Sequence, residues 1–522
     1  MQGFQTIKEM FLWLEKCFGS KAAIVDYPGG KRWTFRELND YSRRICASYK
    51  NDGSVARGDR ITWLSLTPRT DVIALSFGAR KMGAIPVIIN ARASLESVAW
   101  MINHVGAKTL AYSGDCADIL RKVREIGIPS VREYIALEDR VGFPGEIAID
   151  EIYDQYKSAE EPNVEIAEDD DCFICYTSGT TGRPKPVLHK EGEWLWTSMI
   201  VAYQFGLYYD DVFLNGMGPG FMGWAHSTCG SLRAGAKQCC IRFVPATYLK
   251  AVTDERPTHG ILSPTLVRML YRDYRGQSDK FRLDSLRNVL VSGEPVTEDV
   301  IAMIKEMFPK LVRMSSIGAT EGISMTTGPH SAYLKEHWDT VGKPVPGMLA
   351  ELRDVETGEI LTEPNKPGEL YVKGPGLTCG IWNDPETTEK NFPGGWWKTG
   401  DLVFMDKDGY YYYSGRSDYM FKSGGIKVYS VEVEMNLKKH PTVLDAVVVP
   451  FPDETFGFVP FAHIRNKEPL TAKEMDSWWL QQGFARFNRP REWRFWGEEE
   501  FPMVTPVKID RKKLQQMATA RK

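Results

Sequence analysis

Residues 176–185 read Y-T-S-G-T-T-G-R-P-K and continue an apolar run that begins at Phe173. The apolar run predicts a buried β-strand. In the segment after it, glycines allow backbone N–H groups to face an anion, hydroxyl groups add donors, and Lys185 supplies a mobile positive charge. The sequence therefore predicts a phosphate-binding loop directly after a strand. It is not a Walker A loop, because no Gly-Lys-Ser or Gly-Lys-Thr follows at the required spacing.

Short apolar runs alternate with helical patterns through most of the chain. This alternation predicts an α/β fold with mostly buried strands. The predicted strands are Ile61–Leu66, Ile85–Ile89, Phe173–Tyr176 and Val289–Val291, and the helices between them include Asp71–Met82 and Glu298–Met307.

The pattern changes after Gly409. Tyr410–Tyr413 predicts an aromatic strand, and the sequence G-R-S-D at 415–418 predicts a turn. The sequence beyond this turn predicts a strand at Ala446–Val449 and helices near Val431–Lys439 and Ala472–Gln481. We therefore expect a large N-terminal α/β domain built on mixed sheets, residues 1–414, and a small mobile C-terminal α+β domain, residues 415–522.

Composition narrows the functional classes. A chain of 522 residues exceeds the ~250–300 at which one core usually stops growing, so more than one domain is expected. The net charge of -3 gives no reason to expect a nucleic-acid partner. Apolar runs are too short for a membrane span, and Lys8 and Glu9 interrupt any secretory signal. A cytoplasmic protein without a membrane span is predicted.

The nine cysteines do not suggest a disulfide framework. Cys172 and Cys175 form a C-x-x-C, but no second pair and no His-x-His follows. Small apolar side chains in a buried strand are the favoured interpretation, and Cys239 and Cys240 are interpreted in the same way.

The loop at 176–185 resembles the Y-T-S-G-T-T-G-x-P-K signature of the adenylate-forming superfamily, which includes acyl-CoA synthetases, adenylation domains and luciferases. Pro186 departs from the glycine that is frequent there. The resemblance covers nearly the whole chain, and three further stretches match packing and turn elements: W-T-F-R-E-L at 33–38, M-G-A-I-P-V at 82–87 and G-K-P-V-P-G at 342–347.

The resemblance implies a nucleotide site. S-G-E-P at 292–295 matches the turn that lines adenine, and G-A-T-E at 318–321 matches the motif whose threonine contacts the α-phosphate and whose glutamate holds Mg²⁺. Asp401 would bind the ribose hydroxyls. The implied nucleotide-binding residues are Thr177, Ser178, Gly179, Thr180, Thr181, Gly182, Lys185, Gly293, Glu294, Pro295, Ile317, Gly318, Ala319, Asp401 and Arg416. Ile317 stands where an aromatic residue usually stacks on adenine.

The resemblance also assigns roles in the small domain. Asp418 matches the hinge, and K-S-G-G at 422–425 matches the loop that lines the pantetheine tunnel, through Ser423, Gly424 and Gly425. T-P-V-K-I-D-R at 505–511 resembles the terminal motif, so Lys508 would be the adenylation lysine, with Val507 in place of the usual glycine. The implied catalytic residues are Lys508, Glu321 and Thr320, with Glu321 as the metal ligand.

The acid pocket is harder to predict. G-W-A-H at 223–226 resembles medium-chain and benzoate-type acyl-CoA synthetases. The implied pocket residues are Trp224, Ala225, His226 and Gly318. An amino-acid substrate is disfavoured, because 221–227 contains no aspartate for an ammonium group. His226 is equally well interpreted as an acyl contact or as a structural histidine. A medium-chain, branched, alicyclic or aryl acid is open.

The implied function is ATP-dependent activation of a carboxylic acid to acyl-AMP, followed by transfer to the thiol of coenzyme A. The substrates and cofactors are the acid, ATP, Mg²⁺ and coenzyme A. An alternative acceptor is the phosphopantetheine of an acyl carrier protein. A third hypothesis is a non-catalytic nucleotide-binding protein, motivated by the departures at 186, 317 and 507. It is disfavoured because Lys508, Glu321 and Asp401 are all present.

Overall fold

The computed structural model describes residues 4–138, 140–177, 183–293, 296, 298–314, 316–326, 340–505 and 508–520. Residue contacts divide the chain into two compact units. The first unit runs up to Leu349 and includes Lys373–Trp397, and the second consists of Ala350–Val372 and the residues from Lys398 onward. The predicted domain boundary between residues 414 and 415 stays a prediction.

The helices follow the chain in this order: α1 Ile7–Phe18, α2 Phe35–Asp52, α3 Thr70–Arg80, α4 Leu95–Val105, α5 Ala117–Ile126, α6 Ile149–Gln155, α7 Glu191–Phe205, α8 Met222–Arg233, α9 Pro245–Glu255, α10 Pro264–Tyr274, α11 Glu298–Met307, α12 Pro385–Asn391, α13 Ser430–Leu437, α14 Ala472–Gln481 and α15 Arg511–Thr519. The start of α2 shows why the early W-T-F-R-E-L stretch is structural. Thr34 and Glu37 form a reciprocal capping box, with each side chain accepting from the other's backbone N–H.

The strands are β1 Ala22–Tyr27, β2 Arg32–Thr34, β3 Arg60–Leu64, β4 Ile85–Ile88, β5 Thr109–Tyr112, β6 Glu133–Ala136, β7 Glu146–Ala148, β8 Asp171–Tyr176, β9 Pro186–Lys190, β10 Val212–Asn215, β11 Lys237–Ile241, β12 His259–Leu262, β13 Asn288–Val291, β14 Val312–Met314, β15 Ser316–Ala319, β16 Gly322–Thr326, β17 Thr340–Pro344, β18 Leu349–Arg353, β19 Ile360–Leu361, β20 Gly368–Lys373, β21 Gly380–Ile381, β22 Trp397–Met405, β23 Tyr411–Arg416, β24 Met420–Ser423, β25 Ile426–Tyr429, β26 Val443–Asp453, β27 Gly457–Asn466, β28 Glu492–Phe495, β29 Met503–Thr505 and β30 Lys508–Ile509.

Two large sheets form the frame of the first unit. One has the order β14-β13-β12-β10-β11-β1-β2 and is parallel except at its β1–β2 edge. The other has the order β21-β9-β8-β4-β3-β5-β6-β7, with β8 parallel to β4 and antiparallel to β9. Strands β4 and β5 are buried along their whole length, as expected for parallel strands covered by helices on both faces. The first unit also contains the antiparallel strands β15, β16 and β17.

The second unit is built on antiparallel pairs. Strands β22 and β23 pair antiparallel, with Asp401 opposite Arg416 and a register shift between Leu402 and Val403, and β20, β18 and β19 follow beyond β22. Strand β26 pairs antiparallel with β27, which is parallel to β28, and Trp479 of α14 is fully buried against this group. The predicted α/β class is therefore confirmed.

Most of the predicted elements match those observed. Helices α11 and α14 have the predicted bounds, and the four strands predicted in the first unit differ by at most two residues at either end. The strands predicted at Tyr410–Tyr413 and Ala446–Val449 are longer than predicted, at Tyr411–Arg416 and Val443–Asp453. The prediction of a turn at 415–418 is partly wrong. Strand β23 continues through Gly415 and Arg416, and the chain then turns in a 3-10 segment at Ser417–Tyr419.

All nine cysteines are free, and only Cys17 and Cys379 are exposed. Cys172 and Cys175 both lie buried in β8, and Cys239 and Cys240 both lie buried in β11. The interpretation of these pairs as small buried strand residues is confirmed. Among the helices that the structure describes, none has the length and apolar character to span a membrane.

Candidate active site

The predicted phosphate loop is the connection between β8 and β9. Tyr176 faces Pro186 in the register of these antiparallel strands, and the N–H of Thr177 donates to the carbonyl of Lys185 at 2.9 Å. Both ends of the loop are therefore fixed to each other. Pro186 suits this position because, as the first residue of β9, it can lack an N–H group. Residues 178–182, which include Ser178, Gly179, Thr180, Thr181 and Gly182, lie outside the described residues.

Tyr176 anchors the start of the loop to α4. Its hydroxyl donates to the carbonyl of Met101 at 3.1 Å and contacts Nδ1 of His104 at 2.9 Å. Since this hydroxyl donates to a carbonyl, we assign the proton of the second contact to His104 Nδ1. Burial raises the pKa of Tyr176, so the hydroxyl stays neutral. The strand end that carries the loop is thereby held in place.

Thr320 and Glu321 form the connection between β15 and β16. The carbonyl of Thr320 accepts from Nε2 of His189 at 2.8 Å, and the carbonyl of Glu321 accepts from the N–H of Thr378 at 2.9 Å. His189 belongs to β9, the strand that leaves the phosphate loop. The loop strand therefore holds the turn that carries the predicted metal ligand.

Cys175 provides a second link between the loop and this turn. Burial and then the charge of Glu321 raise the pKa of the Cys175 thiol, while a hydrogen bond with the Thr320 side chain lowers it. Cys175 lies two residues before Thr177 on β8. The structure therefore brings the strand that leads into Thr177 next to Thr320 and Glu321, which lie more than 140 positions further along the chain.

A stack of aromatic side chains joins this turn to α8; we call Phe173, His189, Trp194 and His226 the aromatic stack. Phe173 lies parallel to His189, with ring centroids 4.7 Å apart, and Trp194 meets the Phe173 ring edge-on at 4.3 Å. His226 stacks on Trp194 at 5.2 Å. The aromatic stack therefore connects a predicted acid-pocket residue to the residue that binds the Thr320 carbonyl.

Both histidines of the aromatic stack are neutral at physiological pH. Burial lowers the pKa of His189 to about 4, and burial, with His189 as the next cause, lowers the pKa of His226 to about 3. Nε2 of His226 has no hydrogen-bond partner among the described residues. Nε2 of His226 is therefore available to a ligand, and the role of His226 in the acid pocket stays a prediction.

Trp224 and Ala225, in the first turn of α8, are buried. Trp224 packs edge-on against Trp63, with centroids 5.8 Å apart. Both Trp224 and Ala225 line a cavity of about 30 Å³. The full lining is Trp63, Ile73, Ser76, Phe77, Arg80, Pro86, Ile88, Phe173, Trp194, Trp224, Ala225, Thr228 and Cys229.

The other predicted residues of the first unit lie at strand ends. Gly293 follows the carboxyl end of β13 in a parallel sheet, a usual place for ligands in α/β folds. Gly318 and Ala319 are exposed on β15, and Ile317 is placed there by its backbone. Glu294 and Pro295 lie outside the described residues.

In the second unit, Asp401 and Arg416 form an ion pair across β22 and β23. Nη1 of Arg416 donates to Oδ1 of Asp401 and to the carbonyl of Thr399, both at 2.9 Å. Gly400 makes this approach possible, because a side chain there would meet the guanidinium at 2.6 Å. Burial raises the pKa of Asp401, which Arg416 opposes. The two predicted ribose contacts are therefore neighbours, and Oδ2 of Asp401 has no partner among the described residues.

Glu369 holds the segment that contains the predicted hinge. Its buried carboxylate accepts from the hydroxyl of Ser417 at 2.9 Å and lies 3.4 Å from Nζ of Lys398. Asp418 follows Ser417 in the 3-10 turn, and its carboxylate lies 3.9 Å from Nη2 of Arg416. The hinge candidate is thus adjacent to the ribose-binding candidates.

The predicted thiol-tunnel residues form a hairpin turn. Ser423 ends β24, and Gly424 and Gly425, with φ of 57° and 84°, connect it to β25. Positive φ at both central positions is typical of a type I′ turn. The N–H of Gly424 donates to the carbonyl of Phe456 at 2.9 Å, and a side chain on Gly424 would meet that ring at 2.8 Å.

Lys508 begins β30, opposite Thr505 of β29 in a two-stranded hairpin. The N–H of Asp510 donates to the carbonyl of Pro502 at 2.7 Å, and its carboxylate caps α15 by accepting from Lys513 N–H at 2.9 Å. The predicted adenylation lysine therefore lies in a short two-stranded sheet, two residues before Asp510, which caps α15.

A family model described as "AMP-binding enzyme" matches residues 13–382. The chain belongs to the AMP-binding enzyme family. It is 30% identical to a 3-hydroxybenzoate–CoA ligase of Aromatoleum sp. (strain CIB), over 97% of this chain and 95% of that protein. It is 28% identical to a benzoate–CoA ligase of Thauera aromatica, over 95% and 93%. The predicted class, the AMP-forming acyl-CoA synthetases of the adenylate-forming superfamily, is confirmed.

Among solved structures, the anthranilate CoA ligase AuaEII in complex with anthranoyl-AMP matches with a TM-score of 0.86. The identity is 25%, and the match covers 99% of this chain and 98% of that one. The chain therefore shares its fold with an enzyme whose crystal structure contains an acyl-adenylate.

Three contributors to the site were not predicted: His189, Trp194 and Glu369. Each acts by holding a predicted residue or its neighbour. A histidine within an apolar strand directly after the phosphate loop was the only sequence signal for His189. The sequence held no comparable signal for Trp194, because its partners Phe173 and His226 are distant along the chain.

Proposed function

We propose that this AMP-forming ligase activates an aromatic carboxylic acid and transfers the acyl group to coenzyme A. Three relatives support an aryl acid, since they are named for 3-hydroxybenzoate, benzoate and anthranilate. The observation that carries the proposal is the aromatic stack, which connects the predicted acid-pocket residue His226 to the Thr320 carbonyl. One set of side chains would thereby position both the predicted acid-binding residue and the turn predicted to bind phosphate and metal.

In the first half-reaction, a carboxylate oxygen of the acid attacks the α-phosphorus of ATP. The bond from the α-phosphorus to the oxygen that bridges the α- and β-phosphates breaks, giving acyl-AMP and pyrophosphate. Lys508, Thr320 and the loop at 177–185 would neutralise the charge that develops on the phosphate oxygens. Asp401 and Arg416 would hold the ribose.

In the second half-reaction, the thiol of coenzyme A attacks the acyl carbonyl, and AMP leaves with the bonding electron pair. We propose that the second unit moves about Asp418 between the two steps, so that Lys508 serves the first and the turn at Ser423–Gly425 serves the second. The two-glycine turn supports this role, because a thin pantetheine arm needs a backbone without bulky side chains.

Mg²⁺ is proposed to accompany ATP. Mg²⁺ takes one or two protein carboxylates together with phosphate oxygens and water, and Glu321 supplies one carboxylate beside the loop strand. A cluster of three or more acidic, His or Cys ligands is not needed for such a site, and the described residues contain none. A cytoplasmic location is also proposed, supported by nine free cysteines, which suit a reducing compartment.

The function is tested by ATP–pyrophosphate exchange over a panel of acids. We expect exchange to depend on the acid and to be strongest with aromatic acids. Exchange that needs no acid, or none with any acid, would contradict the proposal and favour a non-catalytic nucleotide-binding protein.

The acceptor is tested in the same reactions with coenzyme A or a holo-acyl carrier protein. A thioester of coenzyme A is the expected product. If only the carrier protein were loaded, the chain would be a carrier-loading enzyme instead.

A further inference from the structure

A cavity beside the first turn of α8 contains a buried charged side chain that the proposed reaction does not use. Its volume of about 30 Å³ is room for one or two water-sized groups. Trp63, Trp194 and Trp224 form part of its wall, and Arg80 also lines it. Trp224 and Ala225, both in the predicted acid pocket, line the same cavity. The cavity is therefore continuous with residues that are expected to contact the acid.

Arg80 ends α3, and its side chain is 6% exposed. Nε and Nη2 donate to Oε1 of Glu191 at 3.3 and 3.1 Å, and Nη2 also contacts Sγ of Cys172. Nη1 has no hydrogen-bond partner in the part of the chain that the structure describes. A buried guanidinium whose Nη1 has no acceptor can donate a hydrogen bond to an oxygen atom of a ligand.

The charges around Arg80 decide which acceptor fits. Glu191 is 3% exposed, and its Oε2 accepts from the N–H of Ile7 at 2.8 Å, so the pair is buried and neutral overall. A second carboxylate beside this pair would be an uncompensated buried charge, which is costly. A hydroxyl oxygen accepts from Nη1 without adding charge. The site therefore favours a neutral oxygen substituent.

Water is a poor occupant of the same space. A buried water usually makes two to four hydrogen bonds, and most of the lining is aromatic or aliphatic. Thr228, one of the polar lining residues, already accepts at Oγ1 from the side-chain amides of Asn215 and Gln238, at 3.4 and 3.2 Å. A hydroxyl carried on an aromatic ring has one O–H group to donate where water has two, so it needs fewer polar partners: it accepts from Arg80, and Ser76 and Thr228 are the hydroxyl-bearing residues of the lining.

We propose that this cavity is the distal end of the acid pocket and that Arg80 selects aromatic acids whose ring carries a hydroxyl group. The inference rests on the proposed function and names its substrate class. Arg80 is a specificity-determining residue here. It takes no part in the bond-making steps.

The test measures kcat/KM for pyrophosphate exchange with benzoate, 3-hydroxybenzoate, 4-hydroxybenzoate and isophthalate. We expect the full chain to prefer one hydroxybenzoate over benzoate by about 10-fold or more, and to discriminate against isophthalate, which carries a second carboxylate.

Two variants separate recognition from folding. Arg80→Met combined with Glu191→Gln removes both charges, so neither is left buried alone. Cys229→Leu fills the cavity and keeps the Arg80–Glu191 pair, and Cys17→Leu at an exposed position is its matched control. Both test variants should lose the preference for the hydroxyl group, so that the ratio of kcat/KM for the preferred hydroxybenzoate to kcat/KM for benzoate falls about 10-fold, to near one.

Equal changes for benzoate and the hydroxybenzoates would overturn the inference, leaving Arg80 as a structural link between α3 and α7. Turnover of benzoate with no effect of a ring hydroxyl in the unmodified chain would overturn it as well, without touching the proposed function. Absence of exchange with every aromatic acid would instead overturn the proposed function, and this inference with it.

Discussion

Arg511 donates two hydrogen bonds to the carboxylate of Glu434, from Nη1 to Oε1 at 2.7 Å and from Nη2 to Oε2 at 2.5 Å. The guanidinium also lies 4.6 Å from the ring centre of Tyr419, the residue after the hinge candidate Asp418. Arg511 follows Lys508 by three residues. One side chain therefore ties the start of α15, next to the lysine hairpin, both to α13 and to the hinge segment.

Lys508→Ala is predicted to abolish adenylation while leaving the second half-reaction. The reason is that Lys508 would neutralise charge only while the α-phosphate is attacked. The two steps are measured separately, by pyrophosphate exchange and by thioester formation from supplied acyl-AMP. Equal loss of both rates would contradict this division of labour.

Arg511→Gln is predicted to slow adenylation more than thioester formation, because the hairpin that carries Lys508 loses its anchor. It should also lower the free energy of unfolding by about 2–3 kcal/mol, since Glu434 is left as an unpaired, largely buried carboxylate. Both rates and urea unfolding are measured.

A control variant and a double variant separate the effect on adenylation from the effect on stability. Lys512→Gln removes the same charge from the next, exposed residue and should change neither quantity. Arg511→Gln with Glu434→Gln removes the unpaired charge, so stability should recover while adenylation stays slow. Recovery of adenylation along with stability would show that Arg511 acts only on folding.

His189→Phe is predicted to slow adenylation about 10-fold. Phenylalanine keeps the stacking on Phe173 but removes the donor to the Thr320 carbonyl, which holds the turn that carries Glu321. His189→Gln retains a donor and is expected to recover part of the rate. The dependence of exchange on Mg²⁺ concentration is the readout, and an unchanged dependence in both variants would refute the role of this bond.

The free energy of unfolding is predicted to depend on pH through Glu193. Burial raises the pKa of this carboxyl from 4.5 to about 7, so the folded state holds a proton that the unfolded state releases. This contribution to stability is present below pH 4.5 and is lost as the pH rises through 7. The difference is at most about 3 kcal/mol.

Glu193→Gln should therefore gain stability relative to the parent chain between pH 4.5 and 8. The lowered pKa of His189 acts in the opposite direction between pH 6.5 and 4, but it is present in both proteins. Urea unfolding of the two proteins at several pH values gives the comparison. Parallel stability curves would argue against a raised pKa at Glu193.

Local patterns in the sequence were sufficient for the elements whose form is decided locally. Helix α14 has the predicted bounds because Thr471 and Glu474 form a capping box at its start. The prediction of a turn at 415–418 was wrong for its first two residues, whose conformation depends on a partner in another strand. Gly415 and Arg416 stay in β23 because Arg416 pairs with Asp401 on β22.

The candidate site was predictable to the extent that motifs carry it. Thr177, Thr320 and Asp401 were each identified from short stretches of sequence. The bond from His189 to Thr320 joins residues 131 positions apart, and no local pattern encodes such a distance. The same holds for Arg80 and Glu191, which are 111 positions apart.

Because most of the free cysteines are buried in different strands and helices, their modification can report which regions of the chain unfold first. Seven thiols are buried, and burial raises the pKa of Cys46 and of Cys229 to about 11, so the reactive thiolate is scarce at both. A thiol-modifying reagent followed by mass spectrometry would label the exposed Cys17 first, since burial also raises the pKa of the Cys379 thiol, to about 12. Each later addition would then time the exposure of one strand or helix, region by region, without any engineered probe.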